Sequence, residues 1–596
     1  MNTTQTQGAH RNAPLAILII LIFAAHALFY FFALGTDAVD DAFISFRYAQ
    51  NAIRGAGLVF NPNERVEGFT NFLWTAASIP LEGARVDVGR ASMLIGALFA
   101  LGTLWLVTRF TRVGGIPRAV GALAALLLAA DGSFVLWGVA GLETPLFAFL
   151  IFAGAVLYVQ EQRLDAAASP SLRGAEFAIA RNEAKQSPSN LEIASHSAGK
   201  RGAGKTLAMT DHPRSHLHRT PSGVQVSAFI RVLNDFPKSG IFFALAAMTR
   251  PEGALVFAIT VAHQAALRLL FERRLFVARD LARIFAFVAI FAPYWLARWW
   301  YYKSFLPNSF HAKVAAAGPA AQIERGWNHL SQFVNVHWGW LILLPPLYLL
   351  SRVILSAAKN LVMHWNNQSL RYAQGDKQSF WVSYFALILI VYSAYIVYVG
   401  GDWSVGRFFA PLMPFFYLLF STGVYEFFRR LVEKRSTRGA ERANNVGIIA
   451  SGALAALLFS ASSFNGEYGI YIRGFDAANA TRARETMGKW LKLNTPRGAL
   501  IAVDAAGQVP YFAELPAVDM FGINDAYIGR LNVPTLGQGT PGHEKFDLGY
   551  VIIRQPQYVV IFGTLFDAVK EYERDPREWT NDEALKKFLT LYRRRQ

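Results

Sequence analysis

Two neighbouring carboxylates, Asp40 and Asp41, follow an apolar run of membrane-span length by only a few residues. Acidic side chains at that depth are expensive to hold and tend to be functional. Side by side they raise each other's pKa, so one can serve as a proton acceptor while the other is held by a cation. The plain structural alternative is an interfacial acidic cap paired with Arg47. Four further clusters carry chemistry-bearing residues. GLETP (141–145) supplies Glu143, and TRPEG (249–253) supplies Arg250 and Glu252. FLPNSFHAKV (305–314) supplies His311 and Lys313, and GGDWSVGRFFAPLMP (400–414) supplies Asp402 and Arg407. Each alone is an ordinary interfacial anchor. Brought to one face, they would form a carboxylate-rich and guanidinium-rich surface suited to a substrate with a leaving phosphate.

The elements that must position these residues are membrane helices. The chain has 596 residues, of which 53% are hydrophobic and only 17% charged. Soluble domains carry about a quarter charged residues. Apolar runs fall at 14–35, 91–108, 119–137, 144–160, 225–248, 252–270, 283–300, 338–353, 380–399, 409–427 and 446–464, which makes about eleven spans by length. The first is too long for a signal peptide and lacks a small-residue cleavage site, so it is read as a retained span. The net charge of +17 resides in loops between the runs rather than on a nucleic-acid-binding face. Basic residues at 109–118, 161–224, 273–279, 352–377 and 429–442 fall on one side by alternation. The acidic loops, with Asp37, Asp40, Asp41, Glu64, Glu67 and Asp402, fall on the other. The positive-inside rule then predicts a plasma-membrane protein with a cytoplasmic N-terminus and an extracytoplasmic C-terminus. The absence of cysteine excludes disulfides, thiol nucleophiles and thiolate metal sites. A divalent metal would suit the loop carboxylates, but the sequence specifies no ligand set for one.

This pattern divides the chain into a transmembrane part, 1–465, where any catalytic centre built from these clusters would lie, and an extracytoplasmic part, 466–596. Two polar tracts, 165–224 and 353–377, lack the apolar content to pack and are expected to be disordered cytoplasmic insertions. Both resemble translated interspersed repeats. GKRGAGKT (199–206) matches the P-loop pattern, but no buried strand precedes it and no helix follows, so it is not read as an ATP site. HPRSHLH (212–218) lies in the same tract without a carboxylate to orient its histidines. In the last part, 481–493 has helical periodicity, and ALIAVD (499–504) and QYVVIFG (557–563) read as buried strands. DEALKKFLTLYRRR (582–595) reads as a closing amphipathic helix. A small α/β domain outside the membrane is expected.

The ordered run DDAFISFRYAQN…GLVFNPNERVEGFTNFLW, followed by GLETP, RPEG, LPNSFHAKV and GGDWSVGRFF, resembles the bacterial GT-C membrane glycosyltransferases. It is most similar to the actinobacterial terminal arabinofuranosyltransferases, which use decaprenyl-phosphoryl arabinose. The resemblance covers the spans and most of the outer domain, but neither polar tract. It implies a GT-C-like fold and transfer of a sugar, arabinofuranose or a hexose, from a polyprenyl-phosphate donor to an envelope glycan or glycolipid. It implies a base at Asp40 or Asp41 and an inverting displacement. Arg250, Arg407 and Lys313 become the candidate phosphate ligands, with Glu143, Glu252, His311 and Asp402 in support. VDAAGQVPYF (503–512), AVDMFGINDAYIGR (517–530) and PGHEK (541–545) look like segments of a domain that contacts the acceptor. Two rivals remain. A lipid-linked sugar transporter would want mid-span charges and inverted repeats, and neither is visible. A non-catalytic membrane scaffold of the same fold would not need Asp40 and Asp41 beside Arg250 and Arg407.

Overall fold

The computed structural model describes residues 13–168, 236–314, 319–337, 339–365, 377–433 and 476–595. Helix α1 (Ala13–Ala33) contains no charged residue. Helix α2 (Asp40–Ile53) follows a short turn, is amphipathic, and buries residues 42–51. After α3 (Phe72–Gly83) comes the long α4 (Val88–Gly114). The Asp87 carboxylate caps α4 by accepting from the Arg90 amide, and Gly115 ends it in the left-handed region at φ 69°. Helices α5 (Arg118–Ala130) and α6 (Gly132–Val139) meet at a 63° bend. Asp131 makes that bend: one carboxylate oxygen caps α6 through the Phe134 amide, and the other accepts from the Tyr417 hydroxyl at 2.8 Å. Then follow α7 (Thr144–Ala168), α8 (Ser239–Thr249), α9 (Glu252–Glu272), α10 (Ala278–Tyr302), the short α11 (Asn308–Lys313), α12 (Pro319–His337), α13 (Leu344–Trp365), α14 (Lys377–Tyr398) and α15 (Met413–Glu433).

Among the described residues, seven helices are long and apolar enough to cross a membrane, and the bent α5–α6 pair makes an eighth. This corrects the expectation of about eleven. Of the run at 225–248, residues 236–248 are described, and the helix among them, α8, has 11 residues. The run at 409–427 became α15, whose tyrosines, Glu426, Arg429 and Arg430 leave it too polar to qualify by itself. The run at 446–464 lies outside the described residues, as does the 465/466 boundary. So do most of the tract 165–224 and both decoy motifs within it. The second tract is not a loop throughout, because α13 carries helix through Trp365. Its remaining residues, 366–376, are not described. Residues 160–237 separate as a second unit. Its described part is the end of α7 with Phe236 and Pro237.

The C-terminal part begins with α16 (Ala477–Asn494) and α17 (Gln508–Ala513) around a five-stranded sheet of order β2-β1-β3-β5-β4. Strands β2 (Ala517–Asp519) and β3 (Tyr558–Ile561) flank β1 (Ile501–Val503), and both run parallel to it. Strand β5 (Thr590–Arg594) runs antiparallel to both β3 and β4 (Tyr572–Arg574). Helix α16 and the two buried strands fulfil the sequence expectation. The closing helix does not: only Glu583–Lys586 is helical, and the chain then enters β5. Leu591 and Tyr592 are buried there, against opposite faces of the sheet, so tertiary pairing overrides the local helical pattern.

Candidate active site

Helix α2 places the two aspartates, and its register separates their fates. Asp40 turns toward the C-terminal domain. Its two carboxylate oxygens accept from the Gly507 amide at 3.1 Å and the Gln508 amide at 2.8 Å, and Arg484 approaches at 3.8 Å. A Cβ at Gly507 would overlap the backbone carbonyl of Asp40, so only glycine permits this approach. Asp41, one residue on, turns the other way. Its Oδ2 receives Arg407 Nη1 at 3.0 Å and Trp403 Nε1 at 3.1 Å. Its side chain keeps 30% exposure. The electrostatics also diverge. Burial, reinforced by the Asp41 charge, outweighs Arg484 and the two amides and pushes the Asp40 pKa above the ordinary value. Burial acts on Asp41 in the same sense, but Arg407, Lys313, Trp403 and His543 together overcome it and hold its pKa below the ordinary value. Asp41 is therefore an ionised carboxylate at neutral pH.

Arg47 is not the partner of either aspartate. It is buried and donates to the carbonyls of Phe60 at 2.9 Å, Pro510 at 2.5 Å and Leu515 at 2.5 Å. Asn61 exchanges two hydrogen bonds with Ala517, extending the edge of β2. Asn308, at the start of α11, donates to the carbonyls of Gly522 and Asp525. The segment after α1, together with Asn308 of α11, thus holds the C-terminal domain over Asp41.

Behind Asp41 lies a buried lattice of charge. Arg250 sits between Glu143 and Glu252, at 3.0 Å from each. It also lies over the Phe408 ring at 4.7 Å. Asn71 donates to Glu143 at 2.9 Å, and Ser45 of α2 donates to Asn71 at 3.0 Å. Arg407 links the lattice to Asp41: it is 3.7 Å from Glu143 and 3.7 Å from Asp402. Lys313 stands 3.9 Å from Asp402. Burial raises the Glu143 pKa, but Arg407, Arg250 and Asn71 more than reverse this. Eight of the nine residues singled out in the sequence contribute to this region. His311 does not: it lies on the side of α11 that faces Arg530 and Lys545, where burial and those cations lower its pKa. Arg407 and Lys313 act on the Asp41 charge, whereas Arg250 is held between Glu143 and Glu252.

Two cavities meet here. One, of about 270 Å³, is lined by Asp41, Glu143, Arg250, Arg407 and Lys313, and by Trp295 and Tyr395 of α10 and α14. The other, of about 520 Å³, lies between Asp41 and the C-terminal domain, where Asp504, Phe521, His543 and Phe562 line it. Asp41 and Lys313 belong to both. Sequence reasoning did not single out Trp403, Asn71, Arg484, Asp504 or His543. All five stood inside segments quoted from the sequence, but Arg484 and Asp504 acquire meaning only from the docking of α16 and β1. Among the described residues, no group of three or more histidines, aspartates or glutamates converges to hold a metal ion.

Comparison with known proteins places the fold. The chain resembles crystal structures of ArnT from Cupriavidus metallidurans, both bound to undecaprenyl phosphate and in the apo state. Each aligns with a TM-score of 0.50 at 11% identity, covering 96% of this chain and 97% of ArnT. The apo oligosaccharyltransferase of Archaeoglobus fulgidus aligns with a TM-score of 0.46 at 14% identity, over 91% of this chain and 69% of that one. Residues 471–594 match the model of a domain of unknown function, DUF8728. No curated protein sequence matches the chain. The chain is thus a polytopic helical membrane protein of the GT-C fold with a C-terminal α/β domain. The arabinofuranosyltransferase resemblance is finer than this likeness reaches.

Proposed function

We propose that this protein is a membrane glycosyltransferase that moves a sugar from a polyprenyl-phosphate donor to an envelope glycan or glycolipid on the extracytoplasmic face. The observation that carries the proposal is the position of Asp41 at the junction of two cavities, beside Arg407 and Lys313. The smaller cavity combines membrane-helix aromatics with guanidinium groups, which suits a lipid-borne phosphosugar. The ArnT structure with undecaprenyl phosphate supports a lipid phosphate as the donor's anionic part. In the reaction, the acceptor hydroxyl gives its proton to the Asp41 carboxylate. Its oxygen bonds to the anomeric carbon from the face opposite the leaving group. The bond from that carbon to the phosphate oxygen breaks, and polyprenyl phosphate leaves with the electron pair. Arg407 and Lys313 stabilise the charge that grows on it. General-base assistance of this kind contributes about 10²–10⁴-fold. Loss of one charge-stabilising donor costs about 10²–10³-fold. Asp40, already occupied by two amides, positions the C-terminal domain.

The sugar is arabinofuranose or a hexose, as the motif resemblance implies. The test is incubation of purified protein in nanodiscs with polyprenyl-phosphate arabinose, mannose and glucose, together with an envelope glycan extract. The reading predicts release of polyprenyl phosphate with one of these donors. Intact donors after prolonged incubation with all three would favour a non-catalytic scaffold of the same fold.

A further inference from the structure

We propose that Trp137, on the buried helix α6, is a positioning residue for the reaction: it fixes the directions in which Arg407 and Trp403 reach Asp41. The inference rests on the reading of Asp41 as the base. Trp137 is completely enclosed. A buried tryptophan is ordinarily core, but this one packs against both side chains that hydrogen-bond to the Asp41 carboxylate. Its ring meets the Trp403 ring edge to face, with centroids 5.9 Å apart and planes at 80°. The Arg407 guanidinium carbon lies over its face, 5.8 Å from the ring centroid. Both separations fall in the range where such pairs attract.

The contact matters because little else sets the plane of Arg407. Three carboxylates surround that guanidinium: Asp41 at 3.0 Å, and Glu143 and Asp402 at 3.7 Å each. Its Nε is buried without a hydrogen-bond partner among the described residues. Attraction to three anions does not choose among them, whereas an aromatic face restricts the side on which a flat cation can lie. The tilt of Trp403 against the same ring aims its N–H at Asp41. Helix α6 is itself pinned at both ends. At its start, Asp131 caps the Phe134 amide at 2.7 Å and accepts from the Tyr417 hydroxyl. In the neutral imidazole, His337 Nδ1 donates to the Phe333 carbonyl, which leaves Nε2 to accept from the Ser133 hydroxyl at 3.0 Å. At its end, the Ala140 carbonyl accepts from the Val39 amide at 3.1 Å, immediately before α2. A Cβ at Gly141 would lie 2.4 Å from the Ala38 Cβ, so the two segments touch there. The backbone that carries Trp137 is thus joined to the backbone that carries Asp41. The charged groups facing Asp41 are Arg407, Lys313, His543 and Asp40; Trp137 adds no charge and acts on geometry.

The test uses the full chain in nanodiscs with the polyprenyl-phosphate sugar that the wild type turns over. Trp137→Leu should lower transfer about 10-fold at neutral pH and move the acid limb of the rate profile up by about one pH unit, since a misdirected Arg407 no longer holds Asp41 ionised. Trp137→Phe, which keeps a ring and with it the packing of α6, should shift the limb in the same direction by less. Trp381→Leu removes an equally buried indole beside the Gly114 end of α4 and should leave the limb in place. A second readout needs no turnover. Trp137→Leu should lower Tm by less in the Asp41→Asn background than in the wild type, because the two positions are coupled through Arg407 and Trp403. If the wild type releases polyprenyl phosphate from no donor, the reading of Asp41 as the base fails and the melting cycle alone decides the positioning contact. An acid limb that stays in place in both Trp137 variants, or Tm losses that simply add, would overturn the proposal.

Discussion

At the scale of single residues, one position of helix register separates two aspartates that look equivalent in sequence. Asp40→Asn keeps one acceptor oxygen for the Gly507 and Gln508 amides but loses the charge facing Arg484. It is expected to retain measurable turnover and to loosen the C-terminal domain, seen as faster hydrogen exchange at 505–512. Turnover lost as completely as in an Asp41 variant, with unchanged exchange, would assign the base to Asp40. Arg407→Ala should lower transfer by about 10²-fold through lost stabilisation of the leaving phosphate. Arg407→Lys should recover part of it, since charge returns without the two-pronged geometry. Full activity in Arg407→Ala would leave that charge with nothing to do. Asp40 and Asp41 were legible as a pair from their place after a span. Which of them faces the cavity was not, because that depends on α17 and Trp403, both hundreds of residues away in the chain. His311 misled for a related reason: its spacing of two from Lys313 puts them on different sides of α11.

At the scale of elements, the segment that follows α1 and the C-terminal domain form one mechanical unit. Gly507→Ala cannot be absorbed by a flexible neighbour, because the obstacle is the backbone of α2. It should destabilise domain docking, and limited proteolysis between α16 and α17 should accelerate; proteolysis at the wild-type rate would contradict the close approach. The turn between α1 and α2 carries a pH signature. Burial pushes the Asp37 pKa up to about 7, despite the hydrogen bond it accepts from the Ala38 amide. A raised folded-state pKa gives stability that is full below the ordinary carboxylate value and is lost as pH rises through about 7. The detergent-solubilised protein should lose ~3 kcal/mol from this group between about pH 5 and about pH 8, and Asp37→Asn should remove that slope. An unchanged slope in the variant would place the titration elsewhere. Helix α16 and strands β1 and β3 were readable because their periodicity agrees with their burial. The segment 582–595 was not, since its apolar spacing fits a helix while the edge of β3 demanded a strand.

At the scale of the molecule, the proposed transfer takes place at Asp41, which lines both cavities. Membrane character and a C-terminal α/β domain were legible from composition and run length. Among the described residues fewer helices qualify as spans than the apolar runs predict, because a run also forms where a helix is short or carries polar groups, as in α8 and α15. The orientation is a separate expectation: reporters fused after residues 200 and 436 should report cytoplasm, and one after residue 596 the outside. An outside signal at 436 would invert the order of the later helices. Deleting residues 168–222 should leave insertion and turnover largely intact, because that tract lacks the apolar content to pack. The most direct test of the central claim is turnover of a polyprenyl-phosphate sugar by Asp41→Asn in nanodiscs, beside the wild-type chain. Asparagine keeps the shape and the hydrogen bond from Trp403 but cannot take the acceptor's proton at neutral pH. Transfer should fall by at least about 10²-fold while the protein elutes and unfolds as the wild type does. Near-normal transfer by that variant would contradict the assignment of Asp41 as the base.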